Sequence, residues 1–174
     1  TDTIVGYYAI AEKVVRIITS LFAPFYQTIY PHVVSIVKKP KNEANNFLKK
    51  VFKYSLGIST IVFLLSVLLG EFSLLLVFGE EAKNSINIFY ILSPLIIILP
   101  MAYLFFNVIL LSFKLDKYFS KLYIIGGITN LSMIFILFQF LEKKIIAVSL
   151  SLLITELLIM LLAYILIKNK GLMD

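Results

Sequence analysis

The residue most open to a chemical role in this chain is a carboxylate in the middle of an apolar run. Glu156 stands eleven residues from either end of the run 145–167, too deep for a short side chain to reach an interface. An ionisable group at that depth costs roughly 2.5–3.5 kcal/mol on insertion scales and marks a functional position by default. Two roles suit it. Either it is a proton or cation site whose change of charge biases a conformational switch, or it is a protonated, hydrogen-bonded residue that locks helix packing.

A second group of polar residues lies near the start. At ~3.6 residues per turn, Glu12, Arg16, Thr19, Ser20, Gln27 and Tyr30 fall along one stripe, flanked by Tyr8 and Tyr26. Glu12 and Arg16 are spaced i,i+4, which suits an ion pair. Such a stripe lines an aqueous cavity and presents a cation to an anionic substrate, with Lys13 beside it. Counting about 20 residues back from Val37 instead puts Glu12 and Arg16 near the outer interface, where Lys13 would snorkel. Milder stripes follow: Ser55, Ser59 and Ser66; Ser93, Pro100 and Asn107; Gly126, Gly127 and Asn130. Small and hydroxyl residues are the usual contact material between membrane helices, and of these Asn107 and Asn130 are the two that also suit a cavity wall.

No constellation for covalent or metal chemistry accompanies them. The chain has no cysteine and one histidine, His32, so metal clusters, thiolate chemistry and Cys/His catalysis are excluded. No HExxH, GxSxG or phosphate-binding loop is present. The expectation is a protein that is not an enzyme and needs no cofactor.

The elements that position these residues follow from composition. The 174 residues are 60% hydrophobic and 15% charged, with mean hydropathy +0.98. Soluble domains run nearer 45–50% apolar and about 25% charged. The apolar residues suffice for about five spans of some 20 residues, which leaves no room for a sizeable soluble domain. The apolar runs are long and continuous, so they read as helices, not strands. The expected fold is an all-α polytopic transmembrane bundle with spans near 8–37, 51–69, 86–113, 119–141 and 145–167. Prolines 24, 31, 94 and 100 should bend the first and third spans. Gly70-Glu71 is expected to interrupt the chain after the second span, leaving 72–78 as an interfacial segment.

Charge supplies orientation. The net charge of +6 is a topology signal; no nucleic-acid partner is expected. Six lysines lie within 38–53, three within 114–121 and two in the tail, whereas the opposite loops hold only Lys83, Lys143 and Lys144. Eleven against three places the lysine-rich side, and with it the C-terminus, in the cytoplasm. The chain opens Thr1-Asp2-Thr3 without a Met or a signal sequence, and it is expected to be a processed chain or a piece of something longer.

Particular stretches carry a resemblance. The block Val5-Gly6-Tyr7-Tyr8-Ala9-Ile10-Ala11-Glu12-Lys13-Val14-Val15-Arg16, followed by Ala23-Pro24 and Ile29-Tyr30-Pro31-His32-Val33, resembles bacterial O-antigen and polysaccharide flippases. These belong to the multidrug/oligosaccharidyl-lipid/polysaccharide exporter superfamily. Val77-Phe78-Gly79-Glu80-Glu81 and Thr155-Glu156-Leu157-Leu158 also fit. The resemblance implies two pseudo-symmetric helical bundles around a central cavity, usually about twelve helices in all. This chain would form most of the C-terminal bundle and would need an N-terminal lobe as its partner.

The implied activity is translocation of undecaprenyl-pyrophosphate-linked oligosaccharide across the bacterial inner membrane by alternating access, coupled to an ion gradient. Arg16 and Lys13 would attract pyrophosphate or acidic sugars, and Glu156 would serve coupling. Glu12, Tyr8, Gln27, Asn107 and Asn130 would complete the substrate cavity. Implied partners are the lipid-linked oligosaccharide, the bilayer, the N-terminal lobe, and polysaccharide polymerase or assembly proteins. Two alternatives stand beside this. One is another transporter of the superfamily, a drug/cation antiporter or peptidoglycan-precursor flippase; the other is a non-transporting membrane interaction fragment.

Overall fold

The computed structural model describes residues 2–38 and 40–173, without the side chains of residues 2–4 and 81. Thr1 of the opening tripeptide and Lys39 of the charge count lie outside the described residues, as does the side chain of Glu81. Every regular element among the described residues is helical, as the continuous apolar runs require. The order is α1 (Asp2–Ser20), α2 (Ala23–Ile36), α3 (Lys41–Phe78), a 3-10 turn, α4 (Lys83–Leu92), α5 (Leu95–Tyr103), a π-helical segment (Leu104–Leu110), α6 (Asp116–Phe140) and α7 (Lys144–Asn169).

Three of these, α3, α6 and α7, are each long and apolar enough to cross a membrane. A fourth crossing is available if α4 and the helix from Leu95 to Leu110, bent by 46° at their junction, count as one. The first expected span is two helices. The backbone tightens at Leu21 and Phe22, whose N–H groups donate to Ile18 and Thr19. Pro24 then occupies the second position of α2, where a missing N–H leaves no bond unmade. Pro94 likewise stands just ahead of α5, at the expected bend of the third run.

The segment after Gly70 differs from expectation. Gly70-Glu71 does not interrupt the chain, and 72–78 is the end of one 38-residue helix, about 57 Å long at 1.5 Å per residue. A single glycine costs a helix only about 1 kcal/mol, and this one is used for packing. Gly70 is buried, and a Cβ there would run into the fully buried ring of Phe89 on α4. Its absence is what lets α3 and α4 approach. Gly79 (φ +68°) then ends the helix in a backbone conformation open to glycine.

Two buried clusters stack along the bundle. One gathers α1 and α4 with Leu74 of α3 and the start of α5; the other gathers α2, the first half of α3, Leu104–Leu110 and the last half of α7. Ser55 and Ser59 are fully buried between α3 and its neighbours, and Gly126 of α6 lets Ile159 of α7 within 3.1 Å of where a Cβ would stand. Ser55, Ser59 and Gly126 of the expected small-residue stripes therefore pack helices, whereas Gly127 faces open space. Elsewhere the surface is inverted relative to a soluble protein. Leu68, Phe72, Leu131, Phe135 and Phe140 are all exposed, an arrangement stable only where lipid covers it.

The two glycines of α3 give a direct check. Gly70→Leu should lower the melting temperature of the detergent-solubilised protein, since overpacking costs about 1–3 kcal/mol. Gly57→Leu, at a position with open space around it, should leave the transition within a degree or two of wild type. Equal melting shifts would remove the packing role assigned to Gly70.

Candidate functional site

Helix breaks and helix faces bring the separate polar groups of the sequence together. Arg16 and Glu12 form the expected i,i+4 pair, with Arg16 Nη2 at 2.6 Å and Nε at 2.8 Å from Glu12 Oε1. Both side chains line a narrow crevice whose other walls are Val15 of α1, Leu92 of α4, Leu95 and Leu99 of α5, and Leu152 and Glu156 of α7. The Glu156 carboxylate faces into that crevice within electrostatic reach of the Arg16 guanidinium. One cation thus shares the crevice with two carboxylates, on walls otherwise made of Leu and Val.

The level of this cluster follows from α7. Glu156 is near the middle of a 26-residue helix, so Arg16 and Glu12 sit at mid-height of α7, not near its ends. Arg16 remains 63% exposed on its other side, where Lys13, Ala9, Ile17 and Ser20 form a shallow depression on α1 alone. Nη1 takes no acceptor among the described residues. A guanidinium with five donors is therefore partly committed to Glu12 and partly available to whatever occupies that face. Tyr8 lies within electrostatic reach of Glu12 and Arg16, one turn before the first and two before the second.

Below the break at Leu21–Phe22, the stripe continues on α2. Gln27 and Tyr30 face Tyr103 and Asn107 across a depression of about 380 Å³, floored by Tyr26. Tyr26 and Tyr103 stack with centroids 5.2 Å apart. Asn107 sits in the π-helical segment, a widened turn of the kind that often marks functional positions. It lies beside Tyr123 of α6, which is also within electrostatic reach of Glu156. Tyr26 Oη and Ser55 Oγ are buried neighbours that do not meet hydrogen-bond geometry with each other or with any described residue.

The remaining predicted residues fall elsewhere. Asn130 lines neither the crevice nor the tyrosine depression; its amide donates to Thr155 Oγ1 at 3.4 Å, tying α6 to α7 one residue from Glu156. Lys13 belongs to the outer depression. Thr19 and Ser20 donate their hydroxyls to the carbonyls of Arg16 and Ile17, which spends their hydrogens within α1. Tyr103 and Tyr123 were not singled out by pattern. Tyr103 was findable, since it is one helical turn before Asn107, whereas Tyr123 joins the group only through the packing of α6. Among the described residues there is no cluster of three or more His, Cys, Asp or Glu side chains.

Absence of cysteine makes the exposure of this face measurable. Single-cysteine variants Arg16→Cys and Gln27→Cys should react with a water-soluble maleimide at least about tenfold faster than Phe135→Cys, because thiolate formation needs water. Phe135 is as exposed as Arg16 but lies on an apolar face. Equal rates at Gln27 and Phe135 would mean that the depression is not wetted.

No family model matches the chain. A curated protein of Escherichia coli (strain K12) named "Putative O-antigen transporter" is 27% identical over 172 residues, which is 98% of this chain and 41% of that protein. The chain thus spans about two fifths of the length of the relative it matches. No solved structure matches. These findings support a distant relationship to an O-antigen transporter, carried along nearly the whole of the chain.

Proposed function

We propose that this chain is one lobe of a transporter that moves a lipid-linked oligosaccharide across the bacterial inner membrane by alternating access. The observation that carries it is the convergence of Glu12, Arg16 and Glu156 at mid-height of the bundle, in a chain distantly related to an O-antigen transporter. A midplane polar site between two helical lobes is the general plan of such transporters. In this reading α1 and α2 together make one crossing, the lysine-rich end faces the cytoplasm, and the exposed side of α1 and α2 faces the partner lobe.

The chemistry of the two depressions suits the substrate. Arg16 and Lys13 offer cationic donors to pyrophosphate or an acidic sugar, and Arg16 does so with fixed fork geometry. Gln27 and Asn107 supply amide donors and acceptors for hydroxyl groups, and the rings of Tyr30 and Tyr103 offer apolar faces to the C–H side of a sugar. Glu156 is the coupling residue in this scheme. When its charge changes, the balance of attraction on Arg16 shifts between the two carboxylates, which biases how α1 sits against α7. Polymerase and assembly proteins would meet the whole transporter, not this lobe alone.

The full-length protein in proteoliposomes tests this. It should flip polyprenyl-diphosphate-linked oligosaccharide and should not extrude cationic dyes; dye efflux without flipping would make it a drug/cation antiporter. Arg16→Glu should slow flipping by about a hundredfold, ~2.7 kcal/mol, whereas Lys143→Glu in the outer loop should stay within about twofold. Equal tolerance of the two would remove Arg16 from the substrate path. Glu156→Gln should flatten the pH dependence of flipping, and an unchanged profile would end its coupling role.

A further inference from the structure

A second cavity, chemically unlike the first, lies on the other side of α5. It is a groove of about 370 Å³ between α3, α5 and α7. Its walls are apolar throughout its length and include Phe52 and Leu56 of α3, Ile98 and Phe105 of the third run, and Leu157 and Leu161 of α7. Leu56, Leu157 and Leu161, which line it, are all exposed, an apolar rim suited to contact with lipid. Pro94 lines the opposite end, at the 46° bend that turns α4 away from α5.

Three rings close the end nearer the start of α3. Phe52, Phe105 and Tyr164 form a triangle with centroid separations of 5.9, 6.3 and 5.7 Å. One helical turn beyond them stand two lysines. Lys49 precedes Phe52 by three residues and Lys168 follows Tyr164 by four, so each shares a helix face with its ring. The levels agree, because Asn45 of α3 donates to the carbonyl of Gly171 just past α7. Neither lysine forms an ion pair with a described residue. An apolar slot ending in aromatic rings and then two cations is complementary to one kind of ligand, a long hydrocarbon chain carrying a phosphate.

The third run connects this groove to the saccharide-type depression. Ile98, Met101 and Phe105 line the groove, while Tyr103 and Asn107 line the tyrosine depression. One irregular helix therefore walls an apolar seat on one face and a polar one on the other, which a bilayer phospholipid would not use and an amphiphile with a sugar head would. We propose that the groove seats the isoprenoid chain of the lipid-linked substrate as it loads from the lysine-rich side, with its phosphate drawn to Lys49 and Lys168 before it passes to Arg16. This rests on the transport reading above.

The test is photo-crosslinking of the full-length protein in nanodiscs with a polyprenyl phosphate bearing a diazirine in its chain, the adducts being mapped by peptide mass spectrometry. Adducts are expected on the groove walls, competed by polyprenyl diphosphate and not by phosphatidylglycerol. Leu157→Trp, which fills the groove from its exposed rim, and the double variant Lys49→Glu/Lys168→Glu should each lower labelling about tenfold. Leu131→Trp on the lipid face of α6 should not. Equal competition by phosphatidylglycerol, or adducts placed elsewhere, overturns the proposal even if the variants fail to fold, since both are read on wild type. Labelling needs no transport, so flipping with adducts elsewhere removes the groove alone. Groove adducts without flipping of any lipid-linked saccharide remove the transport reading, and with it the identity given to the occupant.

Discussion

A carboxylate at the centre of an apolar helix has to be answered by something, and in this bundle the answer is the guanidinium of Arg16. Glu156 has no second charged residue on its own apolar run, so a partner for its charge must come from another element. Helix α1 supplies one by placing Arg16 in the crevice that it shares with α4, α5 and α7. Glu12 holds the same guanidinium from its own helix. When both carboxylates are ionised, two anions share one cation, and no arrangement pairs every charge fully. Charge imbalance of this kind is tolerable only if water, a proton or a ligand completes it.

The irregularities of the helices fall in the elements that wall the crevice and the two depressions beside it. The tight turn at Leu21–Phe22 divides the charged half of the stripe from its amide and tyrosine half, so the two halves open onto separate depressions. The bend at Ser93–Pro94 and the π-helical segment at Leu104–Leu110 occur in the one run that walls all three of the crevice, the tyrosine depression and the apolar groove. Each irregularity leaves fewer regular backbone hydrogen bonds to resist motion. The rocking that the proposed transport requires would find its hinges at those positions. By contrast α6 is one unbroken helix with only Leu122 and Gly126 buried, and much of its surface is exposed.

Much of this was legible in the residues, for definite reasons. Long apolar runs dictate helices, and i,i+4 spacing dictates the Glu12–Arg16 pair, since both depend only on local geometry. The mid-run position of Glu156 announced a buried charge, but nothing local could say what it would face; that it meets α1 is a matter of tertiary packing. Gly70 was misleading because a glycine beside a glutamate looks like a helix end, whereas the ring of Phe89, nineteen residues later, makes the missing side chain a contact. The apolar groove was invisible in the pattern. Its walls are ordinary Leu, Ile and Phe, and only the crossing of three helices separates them from lipid-facing residues of the same types. Lys49 and Lys168 read as topology signals for the same reason.

The central claim is that Arg16 and Glu156 act as one unit, and a double-mutant cycle measures that most directly. Flipping rates of the full-length protein with Arg16→Gln, with Glu156→Gln and with both changes would give a coupling energy between the two positions. Residues in direct electrostatic contact couple by about 0.5–3 kcal/mol, while independent ones add to within about 0.5 kcal/mol. The account predicts that the double variant is no worse than the poorer single variant, a coupling of at least about 1 kcal/mol. Additive losses would mean that α7 and α1 carry separate functions and that the crevice between them is only packing.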